Sequence, residues 1–169
     1  MPKVHKVQRA QKPKPECDVK VGDTYYWWSN MVSGRGVRRC SKTYPTRSQL
    51  TMSEFWQDVY GIQDDMGRCS VETAEDLTVE RDDWAQRARD VAQETQDKLD
   101  NMPDSLRDGD VGTLMQERIE AMEAWADDIE NVDIPDRDDF DEGEDGDEEF
   151  QDALTDTISE IASLDVSCS

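Results

Sequence analysis

The hydrophobic positions of this chain change rhythm twice. Thr24 to Val32 is a run of aromatic and β-branched residues, and Val37 to Tyr44 follows after Ser33-Gly34-Arg35-Gly36. Two strands joined by a turn are predicted, with Gly34 and Gly36 supplying positive φ and Pro45 stopping the second strand. Near Leu50 the period becomes helical. Thr51 and Glu54 have capping-box spacing, Leu50 and Phe55 sit at the staple positions, and Phe55, Val59, Ile62 and Met66 continue one stripe until Gly67. A helix is expected to start there and cross the hairpin, with Trp27 or Trp28, Trp56 and Tyr60 giving most of the buried area.

Two longer amphipathic segments follow. The first begins near Thr73, with a seam at Leu77, Trp84, Ala88, Val91, Thr95, Lys98 and Met102, and is broken around Pro103. The second starts after Gly109-Asp110 and places Val111, Met115, Arg118, Met122, Trp125, Ile129 and Val132 on one stripe until Pro135. Similar helices joined by a short breaker predict an antiparallel, coiled-coil-like hairpin. From Asp138 to Glu149 nine of twelve residues are acidic, which reads as a solvated linker, and Phe150, Leu154, Ile158, Ile161 and Leu164 then regain helical spacing. The expected class is α+β: a basic extended arm (1–20), a β-hairpin and helix head (21–68), an acidic helical hairpin (70–133), an acidic linker (134–149) and a C-terminal amphipathic helix (150–169).

Charge divides the chain in the same place. The net charge of −22 splits into eleven bases against three acids over residues 1–49, or +8, and eight bases against 38 acids over 50–169, or −30. A basic segment attracts phosphates, while an acidic one repels nucleic acid and suits basic protein surfaces. No run of 18 apolar residues occurs, and Lys3 and Lys6 are not followed by an apolar segment. Neither a membrane span nor a secretory signal is therefore expected. The expected location is intracellular, with Cys17, Cys40, Cys69 and Cys168 as reduced thiols.

Catalytic chemistry finds little support. The sole histidine, His5, lies in the arm, there is no C-x-x-C pair, and the nucleophile-elbow, phosphate-loop, dinucleotide and metalloprotease motifs are missing. An EF-hand fitted to Gly146 as its sixth position has Gly143 at the third and Asp152, not Glu, at the twelfth. No enzyme activity, metal or cofactor is implied.

Two candidate binding surfaces remain. Arg35, Arg38, Arg39, Lys42 and Arg47 cluster on or beside the second strand while Tyr25, Tyr26, Trp27 and Trp28 crowd the first, and interleaved bases and aromatics suit phosphates and nucleobases. Alternation sends Tyr25 and Trp27 to one face and Tyr26 and Trp28 to the other, so one helix cannot cover both. On the acidic body, Trp84, Trp125, Asp127, Asp128 and Glu130 are candidate contacts for a basic protein. Carboxylates along a helical rod can also imitate nucleic-acid phosphates. The alternative reading is a DNA- or RNA-binding head whose helices dimerise.

The segments Met1-Pro2-Lys3-Val4-His5, Gly22 to Trp28, Ser41-Lys42-Thr43-Tyr44-Pro45, Ser48 to Thr51 and Ser53-Glu54-Phe55 resemble a group of uncharacterised bacteriophage proteins. The strand, glycine turn, strand and helix order is also similar to the arm-type DNA-binding sheet of phage integrases. The resemblance implies a phage origin, and the second likeness implies nucleic-acid contact by the basic face. The expected function is that of a non-catalytic phage accessory protein whose acidic body binds a basic host or phage protein in the host cytoplasm, as a mimic that blocks a nucleic-acid enzyme or defence factor.

Overall fold

The computed structural model describes residues 2–32 and 35–168, without the side chains of residues 30–32 and 35. The architecture is α+β. The elements are strands β1 (His5–Val7), β2 (Tyr25–Val32) and β3 (Arg35–Ser41), then helices α1 (Arg47–Leu50), α2 (Glu54–Met66), α3 (Ala74–Asp100), α4 (Asp104–Arg107), α5 (Asp110–Glu130) and α6 (Glu144–Ser163). Two compact units, residues 1–61 and 62–169, meet in sequence within α2. Among the described residues no helix is long and apolar enough to cross a membrane.

The first unit holds an antiparallel sheet of order β1-β2-β3. The two predicted strands form, and β3 ends at Ser41, ahead of Pro45. The Ser33-Gly34 turn lies outside the described residues, whereas Gly36 sits inside β3 opposite Met31 without a positive φ. Its small size matters instead, because a Cβ there would lie 3.0 Å from the Ser29 hydroxyl.

The described part of the predicted arm, residues 2–20, is not extended and unstructured. His5, Lys6 and Val7 pair with Trp27, Tyr26 and Tyr25, Lys14 bridges Val19, and a 3-10 turn at Pro15–Cys17 precedes Asp18 in the left-handed region (φ 50). Ala10 and Val19 are buried, and Ala10 exchanges backbone hydrogen bonds with Asp23 and Gly22, each 2.9 Å. A Cys17–Cys40 disulfide fastens this segment to β3, correcting the expectation of four reduced thiols. The scarcity of apolar residues hid the order, because it rests on backbone hydrogen bonds and a covalent link more than on an apolar stripe.

The capping box lies one helix earlier than predicted. Thr46 caps α1, its N–H donating to Gln49 Oε1 (3.3 Å), while Thr51 is the C-terminal cap of α1 and α2 begins at Glu54. The predicted stripe Phe55, Val59, Ile62 and Met66 is buried throughout. Trp56 and Tyr60 are only half-buried and stack on each other at 5.4 Å, so Trp28 and Phe55 are the buried aromatics of the head.

In the second unit Thr73 caps α3 by accepting from the Asp76 N–H (3.1 Å). The antiparallel α3–α5 hairpin forms, and its seam keeps Leu77, Trp84, Ala88 and Thr95 of the first predicted stripe and Met122, Trp125, Ile129 and Val132 of the second. Ala85, Ala88, Ala92, Thr95 and Leu99 are buried in alternating steps of three and four, whereas Lys98 is exposed and Val91 and Met102 are half-buried. On α5 the buried positions are Gly112, Ile119, Met122, Ala126 and Ile129, with Trp125 beside them, and Val111 points outward. Alanines let helix axes approach closely, and Thr95 satisfies its hydroxyl on the Val91 carbonyl at 2.8 Å.

The acidic linker is partly helical. Asp136 caps a 3-10 turn at Arg137–Asp139, and α6 starts at Glu144 rather than 150, with acids at its dipole-favoured N-terminus. Arg137 binds the carbonyls of Phe140 and Asp141 and the Asp147 carboxylate, which orders this turn. Phe150, Leu154, Thr157 and Ile161 are buried along α6, and the Trp125 indole N–H donates to the Leu164 carbonyl (3.1 Å). The C-terminal helix therefore docks within this unit.

Gly112 and Gly146 occupy equivalent places in the first turns of α5 and α6. A Cβ on Gly112 would lie 1.8 Å from the Arg107 carbonyl oxygen, and one on Gly146 would lie 1.9 Å from that of Asp141. The incoming backbone of each connection uses the space a side chain would fill. Gly112→Ala is expected to cost about 2 kcal/mol, because backbone rather than a flexible side chain must shift. Urea unfolding followed by far-UV circular dichroism checks this.

Candidate partner-binding surfaces

Pairing fixes which head residues share a face. Directly opposed residues in an antiparallel sheet project to the same side, so Val7, Tyr25, His5, Trp27, Cys40, Ser29 and Arg38 lie on one face. Lys6, Tyr26, Ser41, Trp28 and Arg39 lie on the other. The predicted division of the aromatics holds, and their surroundings differ.

Trp28 is buried, and its indole N–H donates to the Gln49 carbonyl (3.2 Å). It is a packing residue, not a contact surface. Tyr26 meets Tyr44 edge-on at 5.5 Å and lies under Lys6 at 5.8 Å. On the opposite face His5 stacks on Trp27 with centroids 4.3 Å apart and planes 10° from parallel, while the Arg38 guanidinium lies 5.1 Å from the Trp27 ring centre. These partners come from the strands on either side of β2, so the leftover Trp27 surface is lined by polar, π-stacking groups.

Beside this stack a groove of about 330 Å³ is lined by Val7, Arg9, Gln11, Lys12, Lys14 and Tyr25. Val7 and Tyr25 place it on the same face as Trp27. Among the predicted bases, Lys42 pairs with Asp18 (3.0 Å) and Arg47 stacks over Tyr60 (4.3 Å), so both serve the head's own structure. Arg39 is exposed on the Trp28 face, and the Arg35 side chain lies outside the described residues. His5, Arg9, Lys12 and Lys14 were missed as surface residues because the arm read as unstructured. The alternation of His5, Lys6 and Val7 was the available strand signal.

The acidic unit revises its candidate contacts more sharply. Trp84 and Trp125 are 1% and 2% exposed, so neither can meet a partner. Asp127 and Glu130 both accept from Arg89, at 3.1 Å from Asp127 and 2.7 Å from Glu130 Oε2. This bond holds the Glu130 carboxyl below its usual range and raises Arg89. The pair's contribution is thus present above the ordinary carboxylate pKa and fades as pH falls through the lowered one. Asp128 alone of the predicted set is exposed without such a described pairing.

What the unit presents instead is its whole acidic surface. Residues 62–169 hold 36 acids against eight bases, a sum of −28, and every acid except the half-buried Asp64 is exposed. Arg81, Arg87, Arg89 and Arg137 are drawn against neighbouring carboxylates. Burial raises the pKa of the free thiols Cys69 and Cys168, which keeps them protonated at neutral pH. The chain matches no protein family, no curated protein and no solved structure.

Proposed function

We propose that this chain is a non-catalytic interaction protein whose acidic helical unit binds a basic protein surface. The observation that carries the reading is the exposure of 35 of 36 carboxylates, most of them on packed helices, with most nearby arginines turned toward those same acids. Such acids stand at fixed positions, so little ordering entropy is lost when a cationic partner docks. On α3, Asp90, Glu94 and Asp97 recur at i, i+4 and i+7. Neighbours at that spacing lie about 6 Å apart, close to the step between successive backbone phosphates, which suits a nucleic-acid mimic. The N-terminal resemblance adds a phage accessory protein acting on a host protein in the host cytoplasm.

The test uses the whole chain as bait in bacterial lysate, followed by reconstitution with the purified captured protein. The reading expects a basic, nucleic-acid-handling partner, released by high salt and displaced by DNA. It also expects the combined Asp90→Asn, Glu94→Gln and Asp97→Asn variant to weaken binding about tenfold, in keeping with roughly 0.5 kcal/mol or more per partly desolvated charge contact. Capture that ignores both salt and these substitutions overturns it.

A further inference from the structure

The outer face of the head sheet carries a second, oppositely charged surface. We propose that the groove lined by Arg9, Lys12, Lys14 and Tyr25, continuous with the His5–Trp27–Arg38 stack, binds single-stranded nucleic acid.

Three features converge on that occupant. The groove's three cations come from one short segment, and that segment is held by the Cys17–Cys40 disulfide, the Lys14–Val19 bridge and the Ala10 backbone bonds. The backbone that carries these cations is therefore held in place, as suits a phosphate track, with Lys14 also 3.9 Å from the Glu16 carboxylate. Tyr25 lines the same groove and offers a ring face to a base, and bases of any identity stack on such a face. Next along the sheet, the exposed Arg38 guanidinium lies over the Trp27 ring, 5.1 Å from its centre, and a guanidinium so placed can also pack against a base. Phosphate-reading cations and stacking groups thus lie side by side on one face, and a single strand, with its bases free of pairing, can use both. A duplex, with its bases stacked inward, can use only the cations.

Charge supports the assignment. Residues 1–61 hold eleven bases against five acids, a sum of +6, although the chain as a whole is −22. At physiological ionic strength fields decay over about 8 Å, so the head's local charge governs contact at its own groove.

Fluorescence anisotropy of a labelled oligo-dT strand against the full chain, from low to physiological salt, tests the proposal. Binding at low salt is expected, with the affinity reduced about tenfold by Tyr25→Ala, the usual size of one lost base stack. The double variant Arg9→Ala, Lys12→Ala is expected to weaken binding and to flatten the log-affinity against log-salt slope by about 1.4, roughly 0.7 per phosphate contact. Lys20→Ala removes a charge from the same unit outside the groove and should leave affinity nearly unchanged. Circular dichroism and thiol titration confirm that each variant keeps its fold and disulfide. No binding by the parent chain at low salt overturns the proposal. So do equal losses in Tyr25→Ala and Lys20→Ala, equal affinity for the matching duplex, or equally tight capture of an oligo-glutamate peptide.

Discussion

Trp125→Ala is expected to destabilise the helical unit by about 3–5 kcal/mol, the usual cost of emptying a buried tryptophan site. The indole is 2% exposed and also donates to the Leu164 carbonyl at 3.1 Å, tying α5 to the end of α6. Truncation opens a cavity and leaves that carbonyl without its described donor. Trp84 offers an internal contrast, being as deeply buried but with an indole N–H that has no hydrogen-bond partner among the described residues. Trp125→Phe should therefore lose more stability than Trp84→Phe, by about 1 kcal/mol, because only the first gives up a hydrogen bond. Urea midpoints of the three variants, with equal m-values, measure the difference. A Trp84→Phe loss equal to or larger than that of Trp125→Phe would contradict this account.

Opening the Cys17–Cys40 bond is expected to cost the head about 3 kcal/mol. The link joins residues 23 apart in sequence, and a closed loop of that length restricts the unfolded chain by about that amount. The loss should be local. The segment before β2 depends on the link together with Ala10, Val19 and a few backbone bonds, whereas the α3–α5 hairpin has its own core. A Cys17→Ser, Cys40→Ser chain should be cleaved by protease within residues 8–24 well before the helical unit is touched. Thiol titration of the denatured, unreduced parent should find Cys69 and Cys168 only, and four reactive thiols would refute the bond.

These expectations also mark where the sequence was legible. The helices were readable because Leu77, Trp84, Met122, Trp125 and Ile129 are large, apolar and correctly spaced. The rest of the α3 seam was not, because Ala85 and Ala92 add little to a hydrophobic stripe, yet small residues are what a close helix pair buries. Thr51 and Glu54 matched a capping box, but Thr46 and Gln49 matched it as well, and spacing alone cannot choose between two local solutions. The start of α6 was hidden because a run of carboxylates reads as solvated coil, although acids in a first turn are favoured by the helix dipole.

The candidate surfaces followed the same logic. Alternation separated Tyr25 and Trp27 from Tyr26 and Trp28 before any coordinates were needed, since the period of a strand is fixed by its geometry. Which face stayed open was unreadable, because it depends on Gln49 meeting Trp28 and His5 meeting Trp27, both contacts between distant positions. Trp84 and Trp125 drew attention as large aromatics among acids, and on a helix that pattern marks the buried stripe rather than the surface. Disulfide pairing was likewise a matter of fold, with Cys17 and Cys40 brought together by the return of the first segment onto β3.

The alanine seam has a consequence for how the helical unit responds to its solvent. Small residues let α3 and α5 run close together, so carboxylates of both helices are crowded around a thin axis. At a net charge of −28 the unit behaves toward small ions as a polyelectrolyte, gathering a cation cloud on folding that the expanded chain holds less densely. Added salt therefore strengthens this fold, where in most proteins it mainly loosens surface pairs. Any cationic partner that docks must first displace that cloud, and the release of those ions would itself favour the complex.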